Sequence, residues 1–349
     1  MEDVMALIHR DCLICKSRNS RKLVTVEGNR GCDYINNNHT FVLCENCGLC
    51  FLNPHNSQED YTKYYSEEKT TRFIGQDYQG EFKKEIESQY HRECEFIAGY
   101  IDRSLGFPDK KIKILDVGAG HGNLLYAFSK LDYSDVLGLE PSEELVCYAE
   151  KVFGQKVLRG SLEENDLPNG ACDLVLCTSM LDHLSDPLRG LRGMREFLKD
   201  GGHIFVRVHN VKDMVLRKGI GAFFKFVHLY NFSENSLANL IKLAGFEIVS
   251  VKAHHSLLDN SSFFDCGNYR LGMINIIAKK IDMHDLEKKL VYDSVGEIER
   301  IFLNAKRRDF FYMMCYRILM SRYCSGIRRV YLRFFGKNYI DALSRIYAK

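Results

Sequence analysis

A short apolar run, Ile112 to Val117, passes directly into Gly118-Ala119-Gly120-His121-Gly122 and then into the helix-forming Asn123-Leu124-Leu125. Glycines so closely spaced let the backbone turn sharply and approach a ligand where a Cβ would clash. A strand, a glycine turn and a helix in that order predict a sheet of largely parallel strands with helices on both faces. Further apolar runs continue the pattern at Val136 to Leu139, Leu174 to Cys177, His203 to Val208, Phe246 to Val251 and Met273 to Ala278, separated by helical stretches. With 349 residues, 46% of them hydrophobic, the chain can bury a large core.

The spacing within the turn narrows its ligand. The third glycine comes two residues after the second, and Asp116 closes the strand, where a pyrophosphate-binding turn would place no negative charge. A cationic sulfonium carrying a free amino group would be welcome beside that carboxylate. A second strand ends in Gly138-Leu139-Glu140-Pro141-Ser142, which places an acid where ribose hydroxyls can be bound and a serine where the next helix needs a cap. A further strand, Cys172 to Cys177, delivers Thr178-Ser179-Met180-Leu181-Asp182-His183-Leu184 beside the first. In open α/β sheets, ligands bind where such strand ends meet at the switch in strand order.

At these residues the chain resembles the class I S-adenosylmethionine-dependent methyltransferases, over about residues 111–280. The resemblance implies a doubly wound, mostly parallel seven-stranded sheet. It also implies S-adenosylmethionine as cofactor, with Asp116, Gly118, Gly120 and Gly122 around the methionine moiety and Glu140 on the ribose. Ser161 and Leu162 occupy the place where the family has an acidic residue followed by an apolar one against adenine, and Cys177 ends the strand beside the site.

A separate signal lies near the N-terminus. Cys12 and Cys15 form one two-residue-spaced pair, and Cys44 and Cys47 form another. Paired thiolates at that spacing match tetrahedral Cys₄ zinc geometry, and a small module with little apolar core needs such a staple. The chain has thirteen cysteines, an odd number, and no N-terminal stretch combines the basic, apolar and small-residue parts of a secretory signal. A reduced, cytoplasmic setting is therefore expected. The pattern Cys47-Gly48-Leu49-Cys50-Phe51-Leu52-Asn53-Pro54, followed by Tyr64-Tyr65, is similar to the zinc-binding region of bacterial methyltransferases of sugar and surface-polysaccharide biosynthesis. That resemblance implies a small-molecule or lipid-linked sugar as acceptor.

A hydroxyl acceptor must lose a proton, so a base is expected in the loops above the sheet. His183 is one candidate. His228, in Val227-His228-Leu229-Tyr230, matches a histidine that assists proton removal in sugar C-methyltransferases of this group, but the place of their partner glutamate is not acidic here. Oxygen is therefore the expected methyl acceptor. Four regions are expected: a zinc module over 1–60, a connector and first helix over 61–109, the catalytic domain over 110–280, and a helical extension over 281–349 that turns basic at its end.

Net charge is only +2, which does not suggest a nucleic-acid binder, and no apolar run reaches the roughly eighteen residues that span a bilayer. From residue 300 onward, however, lysine and arginine far outnumber the two acids, Asp309 and Asp341, among scattered aromatics. This predicts either peripheral contact with the inner membrane face or packing on the catalytic domain or on a second copy in a homodimer. Two other functions fit the sequence: an RNA methyltransferase whose zinc module grips its substrate, and a noncatalytic S-adenosylmethionine-binding partner protein.

Overall fold

The structure, a computed structural model, describes residues 7–28, 32–66, 81–253, 272–282 and 289–320. The side chains of 81–89, 217–218, 222 and 312–320 lie outside that description, as does the basic end of the tail beyond residue 320. In chain order the elements begin with strands β1 (Ser20–Glu27), β2 (Asn38–Cys44) and β3 (Cys50–Leu52). Helices α1 (Gln58–Ser66) and α2 (Glu81–Leu105) follow, and then β4 (Lys113–Val117), α3 (Asn123–Ser129), β5 (Asp135–Glu140), α4 (Glu143–Phe153), β6 (Val157–Arg159) and β7 (Cys172–Thr178). The remainder is α5 (Pro187–Phe197), β8 (Leu198–His209), α6 (Val211–Lys218), α7 (Ile220–Phe223), β9 (Tyr230–Asn231), α8 (Glu234–Leu243), β10 (Phe246–Ala253), β11 (Met273–Lys280) and α9 (Val295–Met320).

These elements form two compact units, one of residues 1–57, 210–236 and 291–349 and the other of 58–209 and 237–290. The larger unit holds a seven-stranded sheet in the order β10-β11-β8-β7-β4-β5-β6. The ladders from β8 to β6 are parallel, and β11 pairs antiparallel with both of its neighbours. This is the doubly wound sheet expected from the alternation of apolar runs and helices. From β4 the chain moves outward to β5 and β6, then returns to β7 on the other side of β4. The switch in strand order therefore lies between β4 and β7, where the carboxyl ends open a crevice.

Ile114, Leu174, Leu176, Phe205 and Ile277 are fully buried, with α2 contributing Ile97, Ala98 and Ile101 to the same cluster. Near-continuous burial along strands is what helices on both faces of a parallel sheet produce. The short β6 passes without a clear apolar run in the sequence. It is held in register by Gly138, Leu139 and Glu140, paired with Val157, Leu158 and Arg159.

The smaller unit is built on an antiparallel sheet in the order β1-β2-β3-β9. Its core sets Phe41 against Phe224 at 4.5 Å and Phe224 against Phe302 at 5.6 Å between ring centroids, both pairs tilted. The cysteine module expected over 1–60 thus shares a hydrophobic core with residues far along the chain, where a division in sequence order had placed the catalytic domain and the tail. The reason is β9: its two residues complete the sheet beside β3 and bring the whole 210–236 segment with them.

Candidate active site

The glycine turn is strapped to the neighbouring strand. The amides of Gly118 and Ala119 both donate to the Leu139 carbonyl, at 2.8 and 3.1 Å. Gly118, Gly120 and Gly122 have φ of 76°, 53° and 77°, the left-handed region that side chains with a Cβ rarely adopt. At Gly122 a Cβ would also lie 2.9 Å from that of Ala149, so the turn and α4 meet only because the hydrogen is there.

Glu140, at the carboxyl end of β5, reaches back over this turn. Its Oε2 accepts from the Gly120 amide and its Oε1 from the Ser142 amide, each at 3.0 Å. Burial raises the Glu140 pKa, and these two amides pull it down. A carboxylate has about four lone-pair sites, so both oxygens keep capacity for ribose hydroxyls. Ser142 also caps α4 as expected, accepting from the Leu145 amide.

Asp116 lies at the end of β4 and is 1% exposed. Its Oδ1 is buried with no hydrogen-bond partner. Burial, and secondarily the Glu140 charge, push its pKa up to about 8. An orphaned carboxylate oxygen in a pocket wall is costly until a donor arrives. The pocket it faces is also lined by Glu93, Gly118, Thr178, Ser179 and Arg207. A ligand bearing an ammonium group and a ribose would fit these acceptors, with the cation on Asp116 and the hydroxyls on Glu140.

The remaining residues expected here fall as follows. Ser161 follows β6 at the same sheet end, where Gly160 donates to the Glu140 carbonyl. Its hydroxyl is used locally, accepting from the amides of Glu163 and Glu164 at 3.2 Å, and Leu162 beside it is half-buried. Cys177 is fully buried within the sheet, and burial pushes its thiol well above the usual range. Its strand reaches the pocket through Thr178 and Ser179 instead.

Beyond Ser179 the loop holds a cluster that spacing alone does not reveal. The buried Asp182 carboxylate lies between two imidazoles, with Oδ2 at 3.6 Å from His209 Nδ1 and Oδ1 at 4.0 Å from His183 Nε2. Tyr65 in α1 shares a 2.6 Å hydrogen bond with His183 Nδ1. His209 is two residues beyond the pocket-lining Arg207, so the strand's alternation puts both on one face. Arg207 itself is buried, bonded to Asn275 at 2.8 Å and paired with Glu93 of α2. His228 belongs to the smaller unit, in a turn where its amide donates to the Lys225 carbonyl and its ring lies 6.1 Å from that of Phe223.

In the smaller unit, the Cys12–Cys15 and Cys44–Cys47 turns repeat one geometry. The residue after each second cysteine, Lys16 or Gly48, is left-handed and donates to the carbonyl of the first cysteine, at 2.9 and 3.0 Å. The four sulfurs converge within 4.8 Å of one another, with Cys12 to Cys47 at 3.4 Å and Cys15 to Cys44 at 3.5 Å. A tetrahedral ion with bonds of about 2.3 Å to sulfur needs sulfurs about 3.8 Å apart, so these four could hold one. Cys32 and Cys50 are buried elsewhere in the same unit.

Residues 88–251 match the family described as a methyltransferase domain. A ubiquinone biosynthesis O-methyltransferase of Aliivibrio fischeri is 33% identical over 107 residues, covering 28% of this chain and 44% of that protein. An uncharacterized methyltransferase of Schizosaccharomyces pombe is 31% identical over 113 residues, covering 29% and 41%. The chain therefore spans about half the length of the curated relatives it matches, or less. Among solved structures, magnesium protoporphyrin IX methyltransferase of Synechocystis superposes with a TM-score of 0.47 at 16% identity, covering 64% of this chain and all of that one. The family match thus puts a methyltransferase domain over residues 88–251, on the doubly wound sheet that the sequence predicts for the class I fold.

Proposed function

We propose that this chain transfers the methyl group of S-adenosylmethionine to a hydroxyl of a nucleotide- or lipid-linked sugar, and that one zinc ion ties its four clustered cysteines. The observation that carries the donor is the buried, unpartnered Asp116 oxygen beside Glu140, on either side of the glycine turn. When bound, S-adenosylmethionine supplies an electrophilic methyl carbon on a sulfonium. Asp116 would hold its ammonium and Glu140 its ribose.

The Asp182 cluster supports oxygen as the methylated atom. An imidazole beside a carboxylate can take a hydroxyl proton, and the carboxylate stabilises the imidazolium that forms. His183 is held by Tyr65 and Asp182, and His209 shares the same acid. The partial relatives named for O-methylation agree with this reading. The sugar itself rests on the likeness of the cysteine module to that of polysaccharide-linked methyltransferases.

Calorimetric titration of S-adenosylmethionine into the full chain tests the donor site. Glu140→Gln is expected to weaken binding by about 1.5–3 kcal/mol, the worth of a hydrogen bond to a charged group. Wild-type affinity in the folded variant would remove the assignment. The acceptor is tested by formation of S-adenosylhomocysteine with nucleotide-linked sugars. There, Asp182→Asn is expected to slow turnover by about 10²–10⁴-fold while donor binding is kept. A variant that turned over as fast as wild type would take the base away from this cluster.

A further inference from the structure

Helix α9 has two faces of opposite character. Its inward face is tied down along the described turns: Ile298, Phe302 and Ala305 are buried, and the buried Asp309 accepts from the Ile220 amide at 2.9 Å. Lys306 donates to the Leu23 carbonyl at 3.0 Å, and Arg308 to that of Val215 at 3.2 Å. These bonds, all within the smaller unit, fix the helix's rotation. The outward face is therefore also fixed. It consists of Arg300, Leu303, Asn304, Arg307 and Phe310, which recur every three or four residues and are all exposed.

Apolar side chains on this face are large and open: Leu303 is 48% and Phe310 50% exposed. The acids of the helix are engaged elsewhere. Glu299 pairs with Arg21 at 2.7 Å, Glu297 with Lys212 at 3.5 Å, and Asp309 is buried. What remains outward is Leu303 and Phe310 flanked by two guanidinium groups, with the Asn304 amide and no carboxylate among them. The sequence beyond continues the same sign, with eight Lys or Arg and one Asp from residue 312 to the end.

We infer that the outward face of α9 docks on an anionic lipid bilayer. Leu303 and Phe310 enter the boundary between headgroups and acyl chains, while Arg300 and Arg307 pair with lipid phosphates, the combination that holds an interfacial helix. Charge complementarity decides the occupant, because a second copy of this face would set arginines against arginines. The inference is independent of the methyl acceptor.

Flotation of the full chain with vesicles tests it. Vesicles of phosphatidylcholine with phosphatidylglycerol should carry the protein upward at low salt, and phosphatidylcholine alone should not. Salt of about 0.5 M should release it, because screening removes attraction between exposed charges. The pair Leu303→Ser with Phe310→Ser, and separately Arg300→Glu with Arg307→Glu, should each lower the bound fraction by about tenfold or more. Because these side chains face outward, circular dichroism should show both variants folded. Light scattering of each variant reports on self-association. Failure of the wild-type chain to float with phosphatidylglycerol, or wild-type flotation by either variant, overturns the inference. A dimer that the serine variant dissolves would do so too, by giving the face to a second copy.

Discussion

Exchange of Cys44 for serine is expected to leave the smaller unit unable to hold its fold, while the larger unit keeps its own. Cys44 ends β2, and its carbonyl and amide close the turn that carries Cys47. A structural zinc bound by four thiolates contributes about 10–16 kcal/mol of apparent binding free energy, all of it realised only in the folded state. Whole domains are stable by about 5–15 kcal/mol, so loss of the ion removes as much as such a unit has. Phe41, Phe51 and Phe224 supply apolar burial, but β3 and β9 are three and two residues long and cannot hold register without the knuckle above them.

Elemental analysis of protein purified without chelator should give one zinc per wild-type chain and much less in Cys44→Ser or Cys12→Ser. Hydrogen exchange should then show protection lost in β1, β2 and β3 and retained in β4 and β5. Metal-free wild-type protein with the smaller unit still protected would remove the zinc from this account.

Where function was legible in the sequence, the signal was local. Asp116, the three glycines and Glu140 lie within twenty-five consecutive residues, and each has a type that only a few structural roles require. The two cysteine pairs announce themselves in the same way. The Asp182 cluster was half visible: His183 follows it in sequence, but His209 reaches the same carboxylate only because β8 lies beside β7 in a particular register, Arg207 opposite Thr178. The Arg207–Glu93 pair is hidden for the same reason, since it joins a strand to a helix 114 positions earlier.

Cys177 shows the converse. Adjacent positions on a strand face opposite ways, so a residue one place from the pocket lining can be sealed in the core. The composition of the smaller unit was the least legible feature. A two-residue strand such as β9 has no periodicity to read, yet it decides which sheet the segment around it joins.

Asp116→Asn is expected to separate donor binding from stability. In the free protein the Asp116 carboxyl, pushed up to about 8 from an ordinary 3.8, holds its proton at neutral pH. A bound ammonium favours the ionised form, so at pH 6–7 binding must expel that proton. Affinity should accordingly rise with pH, by at most about tenfold per unit, up to about pH 8, above which the ligand's ammonium itself loses its proton. The asparagine variant should bind about 10–100-fold more weakly near pH 8 and show no rise below it, since it has no carboxyl to titrate.

Stability moves the other way. A group whose folded pKa is raised favours the folded state most below its unfolded value, and that contribution fades as pH climbs through the folded one. For Asp116 the window runs from about 3.8 to about 8, so without donor the wild-type chain should lose stability across it and Asp116→Asn should not. At pH 8 the donor-free variant should unfold at the higher temperature, and saturating S-adenosylmethionine should narrow that difference, because wild type binds the donor more tightly. Thermal unfolding with and without donor at pH 6 and pH 8 measures both. A variant that is less stable than wild type at pH 8 without donor would show that Asp116 is held by a protein partner, not kept waiting for a ligand.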